Sequence, residues 1–216
     1  MLKFLRCDLK EAKQVNCLAK HEHYLRRSKI PTMQKENSMN NDIEKVLYTH
    51  EQVNHRLDEL ASELTAKYHD QQPVIVSVMT GALVFTGEMI ERLNFKLTLD
   101  YVDVSSYADG TQSGKVQLIQ DLSTDIKDRP VIIMEDIVDT GHTLKFLKDL
   151  LKGRSAKSIE ICALLDKPDR READVEGDYI GFEVPNEFIV GYGLDYSGLY
   201  RNLPFVGVLK RSVYEN

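Results

Sequence analysis

Residues 131–144 read Val-Ile-Ile-Met-Glu-Asp-Ile-Val-Asp-Thr-Gly-His-Thr-Leu: an apolar run closed by two acids, then a third acid, a Thr-Gly turn and the start of a helical pattern. In an open α/β sheet, ligands sit beyond the carboxyl ends of the strands. A helix that begins there offers unpaired N–H groups and a positive dipole end to a phosphate. Asp139-Thr140-Gly141-His142-Thr143 therefore reads as a phosphate cradle, in which Gly141 lets the backbone approach closely and Thr140 and Thr143 add uncharged hydroxyl donors. Glu135 and Asp136 carry the wrong sign for a phosphate, but adjacent carboxylates suit two ribose hydroxyls and a divalent cation. Together these residues predict a phosphorylated sugar as ligand. Adjacent acids after a strand also occur as a plain solvated turn, and it is the junction with Asp-Thr-Gly-x-Thr that favours a site. Neither a Gly-Lys-Ser/Thr phosphate loop nor Gly-x-Gly-x-x-Gly is present.

The elements that must position this segment follow from periodicity. Thr49 and Gln52 have capping-box spacing, and Val53, Leu57, Leu60 and Leu64 recur every three to four residues, which predicts an amphipathic helix. Val74–Met79 reads as a strand, 82–93 as a helix and Phe95–Ser105 as a long alternating strand, a βαβ unit with right-handed crossover. The pattern repeats: Val131–Met134 is a buried strand, 143–152 a helix with Leu144, Leu147 and Leu151 on one face closed by Gly153, and Ile159–Leu165 a strand. Short strands are expected near 179–184, 188–192 and 205–209. Strands alternating with helices imply an α/β fold with a mostly parallel sheet flanked by helices.

The 216 residues are 42% hydrophobic and 29% charged, the balance of one globular domain with an appendage. Residues 1–38 hold nine Lys/Arg against four Asp/Glu, whereas 39–216 hold 19 against 30. The first part is thus expected to be a basic N-terminal extension, flexible or placed by a start codon too far upstream, and 39–216 the functional domain. A nucleic-acid arm is the lesser reading of the extension, because it mixes acids with its cations and lacks interleaved aromatics. No apolar run approaches the roughly 20 residues of a bilayer span. Cys7, Cys17 and Cys162 are too few and scattered for a disulfide framework or a four-ligand zinc site, so a cytoplasmic setting is expected. Cys162, inside an apolar strand, reads as a small core residue, not a nucleophile.

Four further segments, in order, complete a resemblance. They are Met79-Thr80-Gly81-Ala82, then Ser105-Ser106-Tyr107 with 109–114, then Leu165-Asp166-Lys167-Pro168, and last 184–196 with Arg201 six residues after Asp195. With 131–144, the chain over roughly 42–211 resembles the type I phosphoribosyltransferases, and the hypoxanthine (hypoxanthine-guanine) phosphoribosyltransferases in particular. The resemblance implies that family's fold, with a small hood subdomain built from the chain ends.

It also implies roles. Asp139 would be the general base or proton-holding group near N7 of the purine, and Glu135 and Asp136 would hold the ribose hydroxyls beside a cradle of Thr140, Gly141, His142 and Thr143. Thr80, Gly81 and Arg201 would bind diphosphate, with Thr80 standing where many relatives have Lys and so lacking that cationic contact. Asp195, with Glu135 and Asp136, would bind Mg²⁺. Lys167 would donate to a 6-oxo group, Phe188 would stack on the purine, and carbonyls near Ile189 and Asp195 would accept a 2-amino group. Ser106 and Tyr107 would belong to a closing lid. Taken singly, Lys167 is an ordinary strand-end lysine, Phe188 a core aromatic and 105–114 a hairpin loop. The implied activity is transfer of 5-phosphoribosyl from 5-phosphoribosyl 1-diphosphate (PRPP) to hypoxanthine or guanine by a homodimer or homotetramer, without nucleic-acid or membrane partners. Another base, or a non-enzymatic regulator on the same fold, remains the alternative.

Overall fold

A computed structural model describes residues 38–107 and 115–215. The chain divides into units 1–40 and 41–216, and nearly all described residues lie in the second. The expected extension, up to residue 37, lies outside the described residues.

Among the described residues, nine strands form two sheets. The larger contains β2 (Val74–Met79), β3 (Thr98–Tyr107), β4 (Lys115–Gln120), β5 (Pro130–Val138), β6 (Ser158–Asp166) and β7 (Tyr179–Glu183), in the order β4-β3-β2-β5-β6-β7. Every neighbouring pair is parallel except β3 with β4. The smaller sheet joins β1 (Ile43–Tyr48), β9 (Val206–Leu209) and β8 (Ile189–Val190), all antiparallel, so the expected hood is built from both chain ends. From β2 the chain runs one way to β3 and later resumes on the other side at β5. This leaves a topological switch point between β2 and β5, where ligand crevices form.

Helix α1 (His50–Tyr68) begins at the expected capping box: Gln52 N–H donates to Thr49 Oγ1 at 3.3 Å and Thr49 N–H to Gln52 Oε1 at 2.9 Å. Its buried stripe of Val53, Leu57, Leu60, Leu64 and Tyr68 packs on one sheet face with Phe85 and Met89 of α2 (Leu83–Arg92). On the other face, α3 (His142–Gly153) buries Leu144, Leu147 and Leu151 against Val74, Val76, Val131 and Ile133. Truncating one of these leucines to alanine would cost about 2–5 kcal/mol, because cavity loss adds to lost transfer energy. The edge strand β7 is tied down by Arg56, whose guanidinium donates to the Gly181 and Ile180 carbonyls at 3.1 and 3.0 Å.

Several boundaries differ from the expected ones. The third strand starts at Thr98, where pairing with Val74 begins, while Phe95 and Leu97 pack half-buried against the core before it. It runs through Ser105, Ser106 and Tyr107, which pair with β4, so these three are strand and not loop. Residues 108–114 and the side chains of Ser106 and Tyr107 lie outside the described residues. The strand expected at 188–192 shortens to Ile189–Val190, because the chain folds back and Gly191 N–H donates to Leu194 O at 3.1 Å. Strands β1 and β4 and the short helix α4 (Arg211–Tyr214) carried no periodic signal long enough to read.

Candidate active site

Strand β5 continues to Val138, pairing Glu135 with Ala163 and Val138 with Asp166, so Glu135 and Asp136 lie within the strand and not after it. Glu135 is 7% exposed. Its Oε1 accepts from Asp136 N–H at 3.3 Å, and Asp136 Oδ1 accepts from Ile137 N–H at 2.8 Å. Burial, then the neighbouring Asp136 charge, pushes Glu135 well above the ordinary carboxylate range, and burial raises Asp136 as well. Opposite them, β2 ends at a cis Met79–Thr80 bond, and Gly81 follows. A Cβ on Gly81 would overlap the Asp136 carboxylate, so only glycine leaves Asp136 room here. Thr80 is exposed, while its neighbours Met79 and Gly81 line the cleft.

Gly141 caps α3 with φ 86°, the left-handed region that a side chain resists. The cradle is anchored from outside: Thr140 O accepts from the N–H groups of Glu172 and Ala173, each at 3.0 Å. Thr140, Gly141 and Thr143 face the cleft. His142 does not; its Nε2 contacts Glu172 at 2.8 Å, which leaves only its backbone for a ligand.

After β6, Lys167 is buried at 8% exposure, and its Nζ donates to Glu187 O at 2.8 Å. Burial lowers its proton affinity, with Asp139 opposing that shift. Phe188 is held by two rings, edge-on by Tyr196 at 5.4 Å and stacked by Tyr214 at 4.9 Å. Arg201 pairs with Asp195 at 2.8 Å and donates to Gly193 O at 2.6 Å.

These residues line two adjoining cavities. One of about 650 Å³ contains Lys167, Phe188 and Ile189. The other, of about 400 Å³, contains Gly81, Glu135, Thr140, Gly141, Thr143 and Arg201. Asp136, Ile137, Asp139 and Asp195 line both. The first suits a flat heterocycle, the second a sugar phosphate, and Asp139 stands at their junction. Asn186, Glu187, Leu194, Arg170, Arg211 and Tyr214 also line the first cavity and were not singled out in the sequence. Of these, Asn186, Glu187 and Leu194 lie within the segment 184–196 without having been given a role, and Arg170 stands three residues after Lys167 on the turn Pro168–Arg170.

Among the described residues, no group of three or more His, Cys, Asp or Glu is gathered as a self-sufficient metal site. The donor set still fits magnesium, which keeps several waters and binds through one or two carboxylates plus substrate oxygens. Two adjacent carboxylates, both raised by burial, are a donor pair whose charged form a cation would favour.

A family model described as the phosphoribosyl transferase domain matches residues 44–197. The chain is 49% identical over 179 residues to the hypoxanthine-guanine phosphoribosyltransferase of Bacillus subtilis, covering 82% of this chain and 99% of that protein. It is also 49% identical over 178 residues to the bifunctional protein TilS/HprT of Listeria innocua, covering 82% of this chain but only 28% of that longer protein. A crystal structure of a hypoxanthine phosphoribosyltransferase from Staphylococcus aureus superposes with a TM-score of 0.82 at 46% identity, covering 85% of this chain and all of the other.

Proposed function

The chain belongs to the phosphoribosyl transferase domain family, and on that premise we propose that it transfers 5-phosphoribosyl from PRPP to hypoxanthine and guanine, releasing diphosphate. The observation that carries this reading is the junction of the two cavities: every residue expected to hold the base lines one, and the sugar-phosphate residues line the other except Thr80 and the His142 side chain. The two meet at Asp139, where the new bond must form.

In the reaction, a purine nitrogen bonds to the anomeric carbon, the carbon–oxygen bond to diphosphate breaks, and the electron pair leaves with the diphosphate oxygen. The base loses its N7 proton to Asp139, a transfer of the kind worth roughly 10²–10⁴ in rate. Glu135 and Asp136 accept from the ribose hydroxyls and hold the ring. The cradle at Thr140, Gly141 and Thr143 takes the 5-phosphate on the N-terminus of α3. Arg201 exchanges its Asp195 partner for diphosphate oxygens as charge builds there. When bound, Mg²⁺ would be held by Asp195 and by Glu135 or Asp136, and would neutralise charge on the departing diphosphate.

Lys167 selects 6-oxopurines, since an ammonium finds an acceptor on a 6-oxo group and none on the amino group of adenine. Losing a charged hydrogen bond of roughly 1.5–3 kcal/mol would reject adenine. Self-association as a homodimer or homotetramer belongs to the same reading. A cytoplasmic setting agrees with there being no helix among the described residues long and apolar enough to cross a membrane. The test is one spectrophotometric assay with PRPP against hypoxanthine, guanine, xanthine and adenine, with and without Mg²⁺. Magnesium-dependent turnover of hypoxanthine and guanine but not adenine is expected; no turnover of any 6-oxopurine would overturn the reading.

A further inference from the structure

Three cations follow β6 within five residues: Lys167, Arg170 and Arg171. Two are engaged elsewhere. Lys167 Nζ donates to Glu187 O at 2.8 Å, and Arg171 donates to the backbone oxygen of Asp139 and pairs with Asp166. Arg170 is the one whose charge meets the Asp139 carboxylate, Nε to Oδ1 at 2.9 Å. That oxygen is buried yet accepts no well-aligned hydrogen bond, so the contact is ionic and not directional.

We infer that Arg170 is a positioning residue for Asp139: it holds the carboxylate in the wall shared by the two cavities and yields it when the purine arrives. The inference rests on reading Asp139 as the group that takes the base's proton. Asp139 sits on a loop and shares the first cavity with the acids Asp136 on β5, Asp195 on the C-terminal segment and Glu187 before β8, and the second with Glu135. The other cations near it are engaged: Arg171 by Asp166 and the Asp139 backbone oxygen, Lys167 by Glu187 O and Arg201 by Asp195. A phosphorylated sugar adds further negative charge. Without a counterion, repulsion would turn the carboxylate toward solvent and away from the reacting nitrogen.

The ionic contact suits a temporary hold. Although Asp139 Oδ1 is buried, the two side chains as a whole are 43% and 39% exposed, so water screens part of the attraction and lowers the cost of parting them. A purine N–H, by contrast, offers the carboxylate a directional bond in its place. The turn itself is firm: Pro168 begins it, and Arg170 N–H donates to Lys167 O at 3.0 Å. One rigid turn therefore aligns Lys167 with the 6-oxo group and Arg170 with the base carboxylate.

The test is a double-mutant cycle on the full chain, with PRPP, Mg²⁺ and hypoxanthine. R170M, or R170Q should R170M fail to fold, is expected to lower kcat roughly tenfold to a hundredfold, the effect of small misplacement, while hypoxanthine KM stays within about threefold. R170K, which keeps the charge, should recover most of the loss. Because Arg170 acts through Asp139, adding R170M to D139N should cost less than about a further twofold. A neutral variant with near-parental kcat, a loss that falls on KM, or a loss that multiplies in full on D139N would each overturn the inference. D139N separates the two levels. Near-normal turnover in D139N removes the base role and this inference with it, whereas a severe D139N defect that R170M compounds independently removes only the role of Arg170.

Discussion

Glu135 and Asp136 are neighbours in a buried strand, an arrangement that disfavours ionising both at once. Burial raises both above the ordinary carboxylate range, and the Asp136 charge adds to the rise of Glu135. A raised carboxylate gives stability that is fully present below its unfolded value, 4.5 for glutamate, and is lost as pH climbs through the folded value. Ligand-free protein in chelator should therefore be more stable as E135Q at pH 7. The gain should be about 3–5 °C in thermal midpoint for every tenfold by which burial weakens the acid, and it should vanish below about pH 4. An E135Q variant equally destabilised across that range would show that the pair is not strained. Residues of this kind were legible from spacing, since Glu135, Asp136, Asp139, Thr140 and Gly141 are close together in one short segment. Tyr214 was not, because it enters the site from the last helix, and only folding brings it against Phe188.

At the scale of elements, the turn between β2 and α2 matters most, since the switch point opens there. Its backbone approaches the end of β5 so closely that a Cβ on Gly81 and the Asp136 carboxylate would share the same volume. G81A should displace the Asp136 carboxylate at an overpacking cost of about 1–3 kcal/mol. That predicts a PRPP KM raised roughly tenfold or more, at about 1.4 kcal/mol per decade, with hypoxanthine KM little changed because Gly81 lines the sugar-phosphate cavity and not the base cavity. Steady-state kinetics varying each substrate separately would decide, and equal effects on both KM values would argue against the division. Elements with strong local physics were readable: the capping box of α1, the apolar run of β5, the leucine stripe of α3. The hood strand β1 was not, since only Ile43 of its six residues is buried and its one partner, β9, comes from the far end of the sequence. The end of β5 was misplaced for a related reason. Ladder pairing carries the strand on to Val138, past the point where the hydrophobic pattern stops.

At the scale of the whole molecule, the two sheets have to meet around the cleft, and the chain accomplishes this by returning its C-terminal part beside β1. Tyr200 donates to Asp42 Oδ2 at 2.9 Å, Lys210 N–H donates to Asp42 O at 2.9 Å, and β9 pairs with β1 from Ile43 to Tyr48. All of those partners lie at or after residue 41. The Bacillus subtilis relative is matched over 99% of its length by 82% of this chain, so a relative of nearly full extent lacks a counterpart to the remainder. The charge balance points the same way: the basic excess is confined to residues 1–38, and the rest is strongly acidic, which disfavours a shared polyanion surface. A chain beginning at Met39 should consequently keep kcat and both KM values within about twofold and its thermal midpoint within about 2 °C. Should that shortened protein fold with an unchanged midpoint and yet lose turnover, the extension would have to reach the cleft, and the cavities around Asp139 would be only part of the site.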